Sequence, residues 1–164
     1  MDIKTILTTP NHMLIVPILS WAIAQILKIF THLVVEKKFV LKRLISDGGM
    51  PSAHSATVIS LAAICGWTQG FSSAAFAISM ILAVVIMRDA VGVRRESGVN
   101  ASIIKLLAKR SNSQLKEGEE YIKTDMLKEL VGHTPLQVAC GCVIGLCVSI
   151  LYIWIVGIPV SVSV

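Results

Sequence analysis

An all-α fold, a polytopic membrane helix bundle of about four spans with amphipathic cytoplasmic helices, is what this sequence predicts. Two observations predict it. The 164 residues are 54% hydrophobic with a mean hydropathy of +0.75, high for a soluble domain, and the surplus lies in long runs. The basic residues are segregated too. Four of them (Lys37, Lys38, Lys42, Arg43) lie between the first and second runs, and nine (Arg88, Arg94, Arg95, Lys105, Lys109, Arg110, Lys116, Lys123, Lys128) between the third and fourth. Positive charge in short loops stays on the cytoplasmic side, so both polar loops are expected inside and both termini outside. The whole chain, residues 1–164, is expected to form a single integral membrane domain, with a polar cytoplasmic hairpin at about 88–132.

The first run, Met13 to Phe30, has Gln25 and Lys28 as its strongly polar members and is long enough for a hydrocarbon core of roughly 30 Å. No cleavage site of the A-x-A kind follows it, so it is expected to remain as an anchor. The second run, His54 to Trp67, is rich in Ala, Ser and Thr. The third, Phe71 to Met87, is uncharged, and Trp67-Thr68-Gln69-Gly70 between them suits an interfacial turn. The polar segment Asn100 to Val131 reads as a basic amphipathic helix over Ala101 to Arg110, an acidic linker, and a second helix near Glu119 to Leu130. This hairpin serves as a solvated connection or as a lipid gate. The last run, Leu136 to Val160, is the clearest span; its Gly141 and Gly145 form a G-x-x-x-G step for close helix approach, within the bundle or in a homodimer.

The net charge of +5 sits in the loops without interleaved aromatics, which favours anionic lipid headgroups as partners and argues against nucleic acid. Cys65, Cys140, Cys142 and Cys147 all fall in apolar runs and form no C-x-x-C pair, so they read as packing residues rather than metal ligands.

Chemistry is concentrated at two helix starts, Pro51-Ser52-Ala53-His54 and His133-Thr134-Pro135. Proline suits the first turn of a helix, and the unpaired N–H groups there, with the positive end of the helix dipole, favour a phosphate. Ser52 stands in that first turn, and Gly48-Gly49 permits close backbone approach. A neutral histidine can attack phosphorus through one ring nitrogen while the other is held by an acceptor, and a second histidine can protonate the leaving oxygen. His12 and His32 lack such a context and read as interfacial. The topology puts His54, Asp89, Arg94, Arg95 and His133 at one membrane face. In Arg88-Asp89-Ala90-Val91-Gly92-Val93-Arg94-Arg95 the guanidinium groups suit a phosphate through paired hydrogen bonds, or serve as a positive-inside anchor. Lys28, near the end of a span, either snorkels to headgroups or lines a phosphate pocket. Ser46-Asp47-Gly48-Gly49 reads as a turn.

Together P-S-A-H, R-D-A-V-G-V-R-R and G-H-T-P-L-Q-V resemble the divergent, short branch of the type-2 phosphatidic acid phosphatase superfamily, which also includes bacterial acid phosphatases and vanadium haloperoxidases. The resemblance runs from the first span to the last. It implies that His133 is the nucleophile, His54 the acid and Arg94 or Arg95 a phosphate ligand, with Lys28 in the lysine role and Lys42 with Arg43 as the alternative. The chain departs from the pattern in three places. Ala53 replaces a glycine, Arg94 and His133 stand 39 residues apart rather than six, and Gln137 occupies the place of an aspartate. Gln137 can accept a hydrogen bond but cannot neutralise an imidazolium, a part for which Asp89 is the candidate.

The resemblance implies a phosphoric monoester hydrolase acting on a lipid phosphate, phosphatidylglycerophosphate or phosphatidic acid, through a phosphohistidine. Polyprenyl pyrophosphate is the alternative substrate, and a non-catalytic binder of anionic lipid or phosphate the alternative class. No cofactor is expected; Mg²⁺ is left open because Asp47, Asp89 and a substrate phosphate offer oxygen ligands. A bacterial inner membrane, with the site facing the cytoplasm, is the expected location.

Overall fold

The computed structural model describes residues 10–36, 49–114, 122–124 and 132–160, without the side chains of His32 and residues 34–36. Among the described residues five helices occur in order: α1 (His12–Glu36), α2 (Ala53–Gln69), α3 (Ala74–Val91), α4 (Val93–Asn112) and α5 (Pro135–Val156). No strand occurs among the described residues.

Among the described residues three segments are long and apolar enough to cross a membrane: α1, α3 with its continuation into α4, and α5. The second expected span, α2, has 17 residues and at 1.5 Å per residue reaches only about 26 Å. Its position explains its composition. It packs against α1, α3 and α5, so it needs small residues rather than a greasy surface, and Ala53, Ser55, Ala56, Ser60, Ala62 and Gly66 are all buried.

The bundle is therefore small inside and large outside. Ala24, Ala53 and Ala56 make a buried cluster with Ile144 beside it, whereas Trp21, Phe30, Ile78, Ile81, Ile150 and Trp154 are exposed to the surroundings. That distribution suits lipid, where helices associate through close packing rather than through expulsion of water. Several interior hydroxyls are returned to the backbone: Thr57 donates to the Ala53 carbonyl, Ser60 to Thr57 and Ser149 to Gly145.

The G-x-x-x-G step is used inside the chain. A Cβ on Gly141 would lie 2.3 Å from the Ser52 carbonyl oxygen and one on Gly145 2.5 Å from that of Ala56. Backbone contact with α2 thus requires both glycines. Gly141→Val is expected to destabilise the bundle by roughly 1–3 kcal/mol or more, as overpacking does, and thermal unfolding in detergent would show a lowered midpoint; an unchanged midpoint would place α5 elsewhere.

Contacts at the helix ends fix the topology. At one end Thr31 donates to the Met50 carbonyl at 2.5 Å, Ser52 N–H to Gln137 O at 3.0 Å and His133 N–H to Ala90 O at 2.9 Å. At the other, His12 Nδ1 meets the Tyr152 hydroxyl at 3.0 Å and the Trp67 indole donates to Ile158 O at 2.9 Å. Consequently α2 and α5 run parallel, with α1 and α3 antiparallel to them. The C-terminal half of α1, the start of α2, the α3–α4 junction and the start of α5 share one end.

Three local expectations are corrected. Pro51 does not open α2: Ser52 is the N-cap, and Pro51 precedes it after a cis peptide bond. Pro135 does occupy the first turn of α5, behind the N-cap Thr134. The amphipathic helix of the hairpin runs over Val93–Asn112, longer than expected because it follows α3 across Gly92. The expected second helix near Glu119 to Leu130 is not continuous, since 122–124 are non-helical; its remaining residues lie outside the described ones.

Candidate functional site

The start of α5 builds the centre of the site. Thr134 and Gln137 form a capping box, in which the Thr134 hydroxyl accepts from Gln137 N–H (3.4 Å) and the Gln137 Oε1 accepts from Thr134 N–H (3.0 Å). The same Oε1 stands 3.2 Å from His133 Nδ1. Two groups converge on this oxygen, and the Thr134 N–H can only donate, so the amide orientation is determined and Nδ1 must carry the proton. In the neutral ring, Nε2 then holds the lone pair.

That nitrogen is buried and has no hydrogen-bond partner among the described residues, while His133 as a whole is 3% exposed. A buried, unpartnered polar atom is costly in a folded protein and commonly marks a functional position. His54, exposed on the first turn of α2, presents its ring edge-on to His133, with centroids 6.1 Å apart and planes at 61°. Lys28 is buried at 7% exposure and runs along Gly49, where a Cβ would lie 3.1 Å from the lysine Cε. The Gly49 backbone, at φ +107°, gives room to a protein side chain rather than to a ligand.

Burial pushes the His133 imidazole below its ordinary pKa of 6.5, and the positive charges of Lys28 and His54 push the same way; Gln137, and more weakly the Gly49 backbone from beyond hydrogen-bond geometry, oppose them. The unfolded chain therefore binds this proton more readily than the folded one. The stability contribution is complete above about pH 6.5 and is lost as pH falls through 6.5 toward the lower folded value. Thermal unfolding of wild type and His133→Gln between pH 8 and 5 would read it: wild type should lose more stability on acidification than the variant, and parallel curves would contradict the shift.

The remaining candidates lie around this centre in different ways. Ser52 is fully buried, and its hydroxyl is taken by Ser55 N–H (3.3 Å) and the Ser55 hydroxyl (3.0 Å), so it braces α2. Arg94 donates through Nε to Asp89 Oδ2 at 2.5 Å, both side chains well exposed. Asp89 therefore orients Arg94, and Gln137 is what holds His133. An exposed pair of this kind contributes about 0–1 kcal/mol, so Asp89→Asn should barely move the unfolding midpoint; a large drop would give Asp89 a structural part. Arg94 and Arg95 nevertheless stay next to the centre through the backbone. A Cβ on Gly132, at φ +90°, would lie 2.4 Å from Arg95 N, which seats the residue before His133 on the first turn of α4. Lys42, Arg43 and Asp47 lie outside the described residues. Among the described residues no group of three or more His, Cys, Asp or Glu is placed to hold a metal ion.

Gln137 accepts from His133 at the place where the family pattern has an aspartate; what sequence reasoning missed is that it also caps α5. The signal was present: Thr134-Pro135-Leu136-Gln137 is a Thr-x-x-Gln capping box, which fixes the side chain beside the preceding histidine.

The model of the divergent PAP2 family matches residues 9–148. The chain belongs to that family. It is 36% identical over 133 residues to a protein of Bacillus subtilis (strain 168) described as the uncharacterized membrane protein YuiD, covering 77% of this chain and 84% of the relative. No solved structure matches. The match spans α1 to most of α5 and thus contains every helix that builds the site.

Proposed function

We propose that this membrane protein is a phosphatase that hydrolyses a lipid phosphate, of the phosphatidylglycerophosphate or phosphatidic acid type, through a phosphohistidine on His133. The observation that carries the reading is the buried, unpartnered Nε2 of a histidine whose Nδ1–H is held by Gln137. Membership of a PAP2-related family supports it. Lys28, Arg94 and Arg95 bind the phosphate, and the neutral His133 attacks phosphorus through Nε2 as the P–O bond to the alcohol breaks. His54 gives its proton to the departing oxygen, then takes one from the water that cleaves the P–N bond, returning inorganic phosphate and free His133. Neutralisation of the transferring oxygens by the cations supplies much of the rate. Basic loops on the same side as the site support a cytoplasmic orientation in a bacterial inner membrane.

The test is phosphate release from phosphatidylglycerophosphate, phosphatidic acid and a polyprenyl pyrophosphate in micelles, for wild type and His133→Ala, with and without a chelator. Release by wild type alone supports the enzyme and ranks its substrates, and the chelator arm decides whether Mg²⁺ takes part. No release from folded wild type would favour a phosphate-binding protein without turnover, a reading to which the neutral Gln137 and the Asp89-bound Arg94 already lend weight.

A further inference from the structure

Helix α4 presents an apolar stripe for which the bundle has no use. Val99, Ile103 and Leu106 follow one another at helical spacing and are 53, 50 and 69% exposed, with Arg95 four residues before the stripe and Arg110 four after it, both exposed. The opposite face is the buried one, formed by Gly98, Ala101 and Ala108. Of the four other described helices α4 packs against α3 alone, and it continues that membrane-crossing helix with Gly92 between them.

A helix that continues a membrane-crossing one, keeps an apolar stripe and carries five basic residues (Arg94, Arg95, Lys105, Lys109, Arg110) against one acidic one, Glu96, is complementary to one surface above others. That surface is the headgroup boundary of a membrane with anionic lipid, where the apolar side chains enter the acyl edge and Arg110, at the end of the stripe away from the site, meets phosphates. Its near end reaches the candidate site. Gly132 is packed on the backbone of Arg94 and Arg95 while His133 N–H is bonded to Ala90 O at the end of α3, so a tilt of α4 about Gly92 displaces the backbone that seats the residue before His133 and strains the histidine against its α3 anchor.

We propose that α4 docks lengthwise on anionic lipid at the membrane surface and that this docking sets the position of His133, making anionic lipid a regulator of the site. The regulatory half rests on the phosphatase reading; the docking half does not. Full-length protein is placed in nanodiscs of phosphatidylcholine alone or with one third phosphatidylglycerol. Hydrogen exchange over residues 99–110 is followed together with phosphate release from a trace of short-chain phosphatidic acid. On anionic lipid, exchange should slow by about tenfold or more and release should rise several-fold. Leu106→Glu should lose both responses while keeping the basal release seen on phosphatidylcholine, and the milder Arg110→Gln should weaken them without touching the apolar stripe.

Equal exchange in the two lipids would overturn the docking, whether the stripe stays bare or is covered by residues 115–131 of the same chain. Slowing that requires two copies per disc would assign the stripe to a second copy instead. Slowed exchange with unchanged release would sink the coupling to His133. Slowed exchange with no release under any condition would uphold the docking and overturn the phosphatase reading.

Discussion

His133→Ala is expected to abolish phosphate release, with a loss on the order of 10⁶ in kcat if the histidine is the covalent nucleophile, while the protein remains folded and membrane-inserted. The two halves of the expectation have separate causes. Loss of turnover follows because no other described side chain at this end of the bundle combines an unpartnered buried nitrogen with a fixed proton on its far side. Retention of the fold follows from how α5 is tied down without the imidazole. The capping box joins Thr134 to Gln137, the Gln137 carbonyl accepts from Ser52, and the residue 133 N–H still reaches Ala90 O. Truncation leaves a cavity costing a few kcal/mol at most. His54→Ala should be milder, about 10²–10⁴ in rate, because water can replace a general acid. Circular dichroism and detergent gel filtration, run beside the assay, separate the two halves. Full activity in His133→Ala would falsify the nucleophile assignment.

The sequence made the bundle legible because membrane insertion writes itself in hydropathy and in the placement of charge. It also pointed to the common face of His54 and His133, since a chain of alternating spans returns its polar loops to one side. What it obscured was decided by packing between segments distant in the chain. Whether Gly141 and Gly145 faced a partner or the bundle depended on Ser52 and Ala56, some ninety residues earlier. The start of α2 was misplaced by two residues because Ser52, rather than Pro51, meets the backbone requirement of the cap. Lys28 gave no sign that it would lie along Gly49, because no local pattern links a lysine near the end of a span to a glycine in the following loop. Arg94 looked like a phosphate ligand and Asp89 like a histidine partner; five residues apart across a helix junction, they met each other.

Gln137 is where the expected effect is next largest and where the outcome depends on charge as much as on shape. Gln137→Leu removes the acceptor of His133 Nδ1–H, frees the ring to adopt the other tautomer, and should lower kcat by roughly 10²–10⁴, with part of the α5 cap lost as well. Stability alone would thus be ambiguous. Gln137→Glu resolves the ambiguity, because a carboxylate still accepts from both Thr134 N–H and Nδ1–H but adds a negative charge beside the ring. The charged form of His133 is then favoured, and its pKa rises from the depressed position that burial, Lys28 and His54 give it. Since only the neutral ring attacks phosphorus, the acid limb of the kcat/KM profile should move to higher pH, with the plateau above it retained. Histidine NMR in micelles reads the same pKa without any need for turnover. An upward shift with the cap intact would show that an uncharged residue 137 is what leaves burial, Lys28 and His54 free to hold the ring neutral. An unmoved pKa would mean that the 3.2 Å contact with Gln137 braces the helix start and leaves the ring's protonation to burial and the neighbouring cations.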